Sequence, residues 1–205
     1  MTAAQVPDAA QLPEGHHDPA AALRAEFPEL SLAEHEFRGE LTLIIAAADL
    51  PAVAAFLKRG AGLNYNYLSD ISAVDYAPVA EEPGYTAFAD LAEAAAERPA
   101  RFAVCYHLLS MPNARRLRLK IYVEEGESIP TLTNLWPAAN WLEREIMDMM
   151  GIDFAGHPDR RRLLMPEDWQ GHPHRRDYPL GYETVQFSFN AEDVQRHKPF
   201  ARRET

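Results

Sequence analysis

The sequence predicts an α+β domain, a mixed or antiparallel sheet packed with helices, followed by an extended proline- and arginine-rich C-terminal arm. Three observations carry this expectation. Leu117, Leu119, Ile121 and Val123 alternate with Arg116, Arg118, Lys120 and Tyr122, the period-2 pattern of a half-buried strand. Residues 137–151 run from Pro137 to Gly151 with helical spacing of apolar side chains. From Gly156 onward, Pro158, Pro166, Pro173 and Pro179 leave an extended segment of poor helix potential.

The elements follow in order. Residues 1–18 mix Ala, Pro, Gln and His without periodicity and read as a disordered tail. A short helix is expected over 19–27 and a strand over 32–37, with Arg38-Gly39 turning into a buried strand at 41–46. Asp49 is placed to cap a helix with Pro51 in its first turn, and Gly60 and Gly62 stop it near Arg59. Residues 65–76 are aromatic and β-branched enough for a strand with a bulge. Residues 77–100, broken by Pro78, Pro83 and Gly84 around an alanine-rich stretch, read as a surface insertion. Residues 102–109 are apolar on both alternating sets, which predicts a central strand covered on both sides. Met111-Pro112-Asn113 joins it to the 116–123 strand as an antiparallel hairpin.

On the 137–151 helix, Ala138, Trp141, Leu142, Ile146 and Met149 form one apolar arc at about 100° per residue. Glu145 falls inside that arc. It requires a cationic partner in a buried or interfacial position, unless it lies at the edge of the arc and reaches solvent. The organisation expected is therefore a tail (1–18), a domain (19–150) and an arm (151–205) that wraps a neighbour.

Composition narrows the chemistry. The 205 residues include one cysteine, Cys105, which excludes an intramolecular disulfide framework and a cysteine-based zinc or iron–sulfur site held by this chain alone. The net charge is −11, with 16 acidic and 5 basic side chains in residues 1–100. A balance of that kind argues against nucleic acid and for a protein partner meeting the arginine-rich half. No basic N-terminal start with an apolar run is present, and the longest apolar stretch, 41–57, is interrupted by Asp49 and Pro51. A soluble chain that meets membranes only through another protein of a complex is expected.

Candidate catalytic groups weigh lightly. Cys105 and His107 share a strand face but stand roughly 6–7 Å apart, beyond hydrogen-bond reach. His157, His172 and His174 with Asp159, Asp168 or Asp177 are zinc-type ligands, but no metal-site spacing joins them and arginines surround them. Glu143 and Glu145 point about 160° apart on the helix, so salt bridging to the arginine segment is expected of this acidic cluster rather than acid–base work. No phosphate-cradling glycine loop is present. The arm instead carries an internal echo, GHPDRR at 156–161 and GHPHRR at 171–176, each a Gly-Pro turn presenting an arginine pair suited to carboxylates.

Glu143-Arg144-Glu145, Asp148-Met149-Met150, His157 and Arg161, together with PEDWQGHPHRRDYPL at 166–180, form a long and particular motif. With PTLTNLWPAANWLERE, YLSDISAVDY and RFAVCYHLLSMPN, it resembles the thirty-kilodalton subunit of proton-pumping NADH:quinone oxidoreductase, respiratory complex I, over roughly residues 30–185. Similar chains occur in F420H₂ dehydrogenases and membrane-bound hydrogenases. The resemblance implies a peripheral chain on the cytoplasmic side of the cell membrane, without catalytic, cofactor or metal residues of its own. FMN, iron–sulfur clusters and quinone would be bound by other chains. The implied partners are forty-nine-kilodalton-like and PSST-like chains, with a ferredoxin-like chain as a secondary candidate. The residues expected to carry assembly, through charge-assisted hydrogen bonds within the arm and to partners, are Glu143, Arg144, Glu145, Asp148, His157, Arg160, Arg161, Arg162, Asp168, Trp169, His172, Arg175, Arg176 and Asp177. His174 replaces a usual leucine and Arg176 a common lysine, and the 81–97 insertion is long for the family.

Overall fold

The computed structural model describes residues 18–60, 62–77 and 99–178. The expected tail (1–18) and insertion (77–100) therefore fall almost wholly outside the described residues, as does the arm beyond Tyr178.

Helix α1 (Pro19–Glu26) starts at Asp18, whose Oδ1 accepts the Ala20 N–H at 2.9 Å. Strands β1 (Ala33–Phe37) and β2 (Glu40–Ile44) form a hairpin across Arg38 and Gly39, both at positive φ. A two-residue turn with that geometry matches the natural strand twist. A 3₁₀ turn, Ala47–Asp49, leads into α2 (Leu50–Arg59). Asp49 occupies the N-cap position, but its side chain makes no capping bond, because the 3₁₀ turn already holds Asp49 itself in a helical conformation. Strand β3 (Tyr67–Asp75) carries the expected irregularity, a register shift between Leu68 and Asp70.

Strands β4 (Phe102–Ser110) and β5 (Arg115–Val123) make the expected hairpin, with Tyr106 opposite Leu119. The five-stranded sheet is ordered β1-β2-β5-β4-β3. It is antiparallel except where β2 runs parallel to β5, so the fold is α+β with a mixed sheet. Short β6 (Ser128–Pro130) and β7 (Asp153–Ala155) pair in parallel around helix α3 (Ala139–Met150).

The core lies on one face of the sheet. Phe102, Val104, Tyr106 and Leu108 of β4 and Leu119 and Ile121 of β5 pack with Leu23 of α1, Leu57 of α2 and Ile146 of α3. Ile129 and Phe154 are fully buried in the same cluster and tie the small sheet to the domain, at about 1.5–3 kcal/mol each. The other face of β4 carries Cys105 and His107 opposite Lys120 and Arg118, outside that cluster. On that side Ala103 and Cys105 are buried, and their cross-strand neighbours are Tyr122 and Lys120. Among the described residues no helix is long and apolar enough to cross a membrane.

Candidate functional site

Helix α3 buries Ile146 and Met149 of its expected apolar arc, with Leu142 partly buried, but it leaves Ala138 and Trp141 exposed and buries charged residues as well. Trp141 is 60% exposed and Glu145 is also exposed, while Glu143, Arg144 and Asp148 are buried beside Ile146 and Met150. The reason is the arm, which returns across α3 and meets it with backbone donors and acceptors rather than with apolar side chains. Being exposed, Glu145 needs no buried cationic partner among the described residues, and no stranded-charge penalty attaches to its removal.

Asp148 is the hub. Its Oδ2 accepts three consecutive backbone N–H groups, from Leu163, Leu164 and Met165, at 2.9, 2.7 and 2.9 Å. Its Oδ1 accepts from Arg162 Nη1 at 2.8 Å, and its backbone carbonyl accepts from His172 Nδ1 at 2.8 Å. Burial opposes the charge, but the three N–H groups and Arg162 outweigh it and hold the carboxyl below the usual range. Arg144 works from the same helix in the opposite sense. Its Nε and Nη2 donate to the carbonyls of Arg161 and Arg162, both at 3.1 Å, and its Nη1 meets Asp159 at 3.2 Å.

Glu143 is completely buried and is not salt-bridged to an arginine, contrary to the expectation for this acidic cluster. Its Oε1 accepts the Leu132 N–H at 2.8 Å and its Oε2 accepts the Thr131 hydroxyl at 2.5 Å, which fastens the 131–133 loop to α3. Burial pushes its carboxyl up to about 7. His157 Nε2 lies 3.9 Å away. The His157 Nδ1 accepts the Asp159 N–H at 3.0 Å, so Nε2 carries the hydrogen and donates to the Asn140 carbonyl at 3.1 Å.

At the C-terminus of α3, Gly151 adopts φ +70°, and a Cβ there would stand 2.5 Å from His172 Cδ2 and 2.8 Å from Arg175 Nη2. Only glycine admits the arm this closely. Arg175 then donates to the carbonyls of Met150 and Gly151 and to Glu125. A second cluster sits at the ends of β3 and β4, where the segments YLSDISAVDY and RFAVCYHLLSMPN bring Asp75 and Arg101 together. Arg101 grips Asp75 through Nε at 3.2 Å and Nη2 at 3.0 Å, and also meets Glu125 and Asp177. Asp75 Oδ2 further accepts the Arg176 N–H at 3.0 Å. Spacing alone could not join Asp75 to Arg101 and Arg176. Only the pairing of Asp75 with Phe102 in the sheet does so.

Seven of the fourteen expected residues thus converge on the α3–arm junction: Glu143, Arg144, Asp148, His157, Arg162, His172 and Arg175. Arg176 and Asp177 belong to the Arg101 cluster. Arg160 pairs with Asp153 and Arg161 with Asp159, both at the surface. Asp168 is exposed, and Trp169 is half-buried with its indole Nε1 shielded from solvent. Of the echo arginines, Arg160, Arg161 and Arg175 meet carboxylates of this chain through their side chains, and Arg176 meets Asp75 through its backbone N–H.

Cys105 and His107 do not form a nucleophile–base pair. His107 bonds Ser72 Oγ at 3.2 Å, and burial raises the Cys105 thiol above its ordinary value. Among the described residues no group of three or more His, Cys, Asp or Glu is placed to hold a metal ion. What the arrangement accomplishes is mechanical. It fixes the path of an otherwise irregular segment, while Trp141, Leu164 and the Arg161 side chain are exposed.

The model of one family, described as the 30 Kd subunit of respiratory-chain NADH dehydrogenase, matches residues 43–184. A protein of Roseiflexus sp. strain RS-1, named as the C subunit of NADH-quinone oxidoreductase, is 44% identical over 181 residues, covering 88% of this chain and 93% of its own. Proteins of the same name from Geotalea uraniireducens (45% over 159 residues, 77% and 84% covered) and Cereibacter sphaeroides (38% over 177 residues, 86% and 79% covered) are also similar.

Proposed function

This chain belongs to the family of the respiratory-chain NADH dehydrogenase 30 kDa subunit, and from that premise we propose that it is a non-catalytic peripheral component scaffolding the quinone-reducing module of an NADH:quinone oxidoreductase. The electrons pass from NADH to quinone through FMN and iron–sulfur clusters on other chains, coupled to proton translocation. The direct partners are the forty-nine-kilodalton-like and PSST-like chains, and the site of action is the cytoplasmic face of the membrane, reached through the complex.

One observation carries this reading. Arg144 spans the junction, its guanidinium 5.3 Å from the Trp141 ring while it holds the Arg161 and Arg162 carbonyls. Trp141 is 60% exposed, Leu164 58% and the Arg161 side chain 75%. Interfaces favour aromatic and arginine anchors of this kind, held in place before binding. The buried charges shape the arm, and the exposed Trp141, Leu164 and Asp168 face a partner.

The test is to replace Trp141 and Leu164 by aspartate together and to tag the chain in its native cell. Loss of the co-purifying PSST-like and forty-nine-kilodalton-like chains, with the tagged chain itself still folded, supports the reading. Undiminished recovery of both chains contradicts it.

A further inference from the structure

Among the described residues strand β3 is an edge of the sheet, with β4 on one side. Asp75 pairs with Phe102, and next to it the Tyr76 N–H donates to the Arg101 carbonyl at 2.8 Å. Antiparallel strands alternate between pairs that exchange both hydrogen bonds and pairs that exchange neither. Val74 and Ser72, in step with Tyr76, are therefore bonded to β4, whereas Ala73 and Ile71 turn their N–H and C=O groups away from it. Among the described residues no hydrogen bond reaches those outward groups. Ile71 is nevertheless buried, and a buried backbone group without a partner is costly.

Between this edge and α3 lies a groove of about 200 Å³, with Ile71 and Ala73 on one wall and Ile146 and Met149 on the other. Asp70 and Glu145 also line it. Both are exposed, and neither makes a hydrogen bond or an ion pair among the described residues. Glu145 stands one helical turn from the exposed Trp141, on the same side of α3. The groove thus adjoins the surface assigned above to a partner.

We infer that the groove seats an extended segment of a partner chain, added to the outer edge of β3 and carrying at least one lysine or arginine among apolar side chains. The inference rests on the scaffold reading above and adds the chemistry of what docks. Outward N–H and C=O groups two residues apart match an extended backbone, whereas a helix has already spent its own. An apolar side chain of the incoming strand enters the slot against Ile146 and Met149, and its cation meets Asp70 or Glu145. A second copy of this chain would bring a net charge of −11 to the same two carboxylates, so a basic segment of another protein is the occupant that fits.

Photo-cross-linking in the complex from native membranes tests this. With Asp70→p-benzoylphenylalanine, irradiation should join the chain to a partner, and mass spectrometry should place the adduct in a segment of that partner bearing lysine or arginine. An adduct confined to this chain, or none in an assembled complex, overturns the inference. The probe leaves Glu145 to hold the cation. Adding Glu145→Lys should lower the cross-link yield about tenfold through like-charge repulsion, with the melting temperature of the chain unchanged. An undiminished yield also overturns the inference. Wild-type chain recovered without any partner would overturn the scaffold reading and this inference with it, a failure distinct from an assembled complex that does not cross-link.

Discussion

Arg162 and Asp148 meet at 2.8 Å, Nη1 to Oδ1, while the other oxygen of the same carboxylate collects the N–H groups of the three residues that follow Arg162. One helix side chain thus sets the path of four consecutive arm residues. A carboxylate that accepts this many donors is far more than a surface ion pair, because removing it strands three backbone donors and a guanidinium together.

Asp148→Ala should accordingly destabilise the chain by roughly 3–5 kcal/mol and make the arm the first site of proteolytic cleavage. Denaturant titration and a timed digest check both. Because its folded carboxyl titrates below the unfolded value of 3.8, the stability it contributes is present above about pH 4 and is lost as pH falls through the folded value.

Glu143 has the opposite sign. Its carboxyl is raised from 4.5 to about 7 by burial, so the folded state holds a proton that the unfolded state releases. Stability is greatest below pH 4.5 as far as this group is concerned, and it declines by roughly 2–3 kcal/mol as pH rises to about 7. Glu143→Gln should flatten that decline in a melting series run from about pH 5 to about pH 8. An unaltered slope would assign the pH dependence to other groups.

Gly151→Ala combines a positive φ with a Cβ 2.5 Å from the His172 ring, which is itself anchored on the Asp148 carbonyl. A loss of about 2 kcal/mol or more is expected. Adding His172→Ala should recover part of it, and a double-mutant cycle measures the coupling.

Arg161 and Arg101 should separate cleanly. The Arg161 side chain is 75% exposed on Asp159, so Arg161→Ala should leave the melting temperature unchanged. Arg101 faces an Asp75 carboxylate with 1% exposure, and Arg101→Ala should cost about 3 kcal/mol. Thermal melts of the two variants side by side give the comparison.

Much of the fold was legible in the sequence because the period-2 alternation of β5 and the doubly apolar β4 leave few ways to build the sheet. The β3 bulge and the glycine stop of α3 were legible for the same local reasons. The inward face of α3 was legible only in part. Hydrophobic periodicity selected Trp141 and Ala138, both exposed, because it assigns no weight to a buried Glu143, Arg144 or Asp148. Arg144 and Asp148 are buried under the arm and Glu143 under the 131–133 loop, and that covering is a matter of tertiary contact. The arginine echo correctly pointed to carboxylates, yet nothing local could say that Asp153 and Glu125 of the same chain would meet Arg160 and Arg175.

The central claim is that the chain is a structural component whose pre-shaped arm docks on PSST-like and forty-nine-kilodalton-like partners. The most direct measurement is to tag it in its native cell, solubilise membranes gently and identify the co-purifying chains by mass spectrometry. The account predicts both partners with the wild-type chain, both retained in Glu143→Gln, and both lost in Asp148→Ala. Recovery of the wild-type chain alone from the soluble fraction would contradict it.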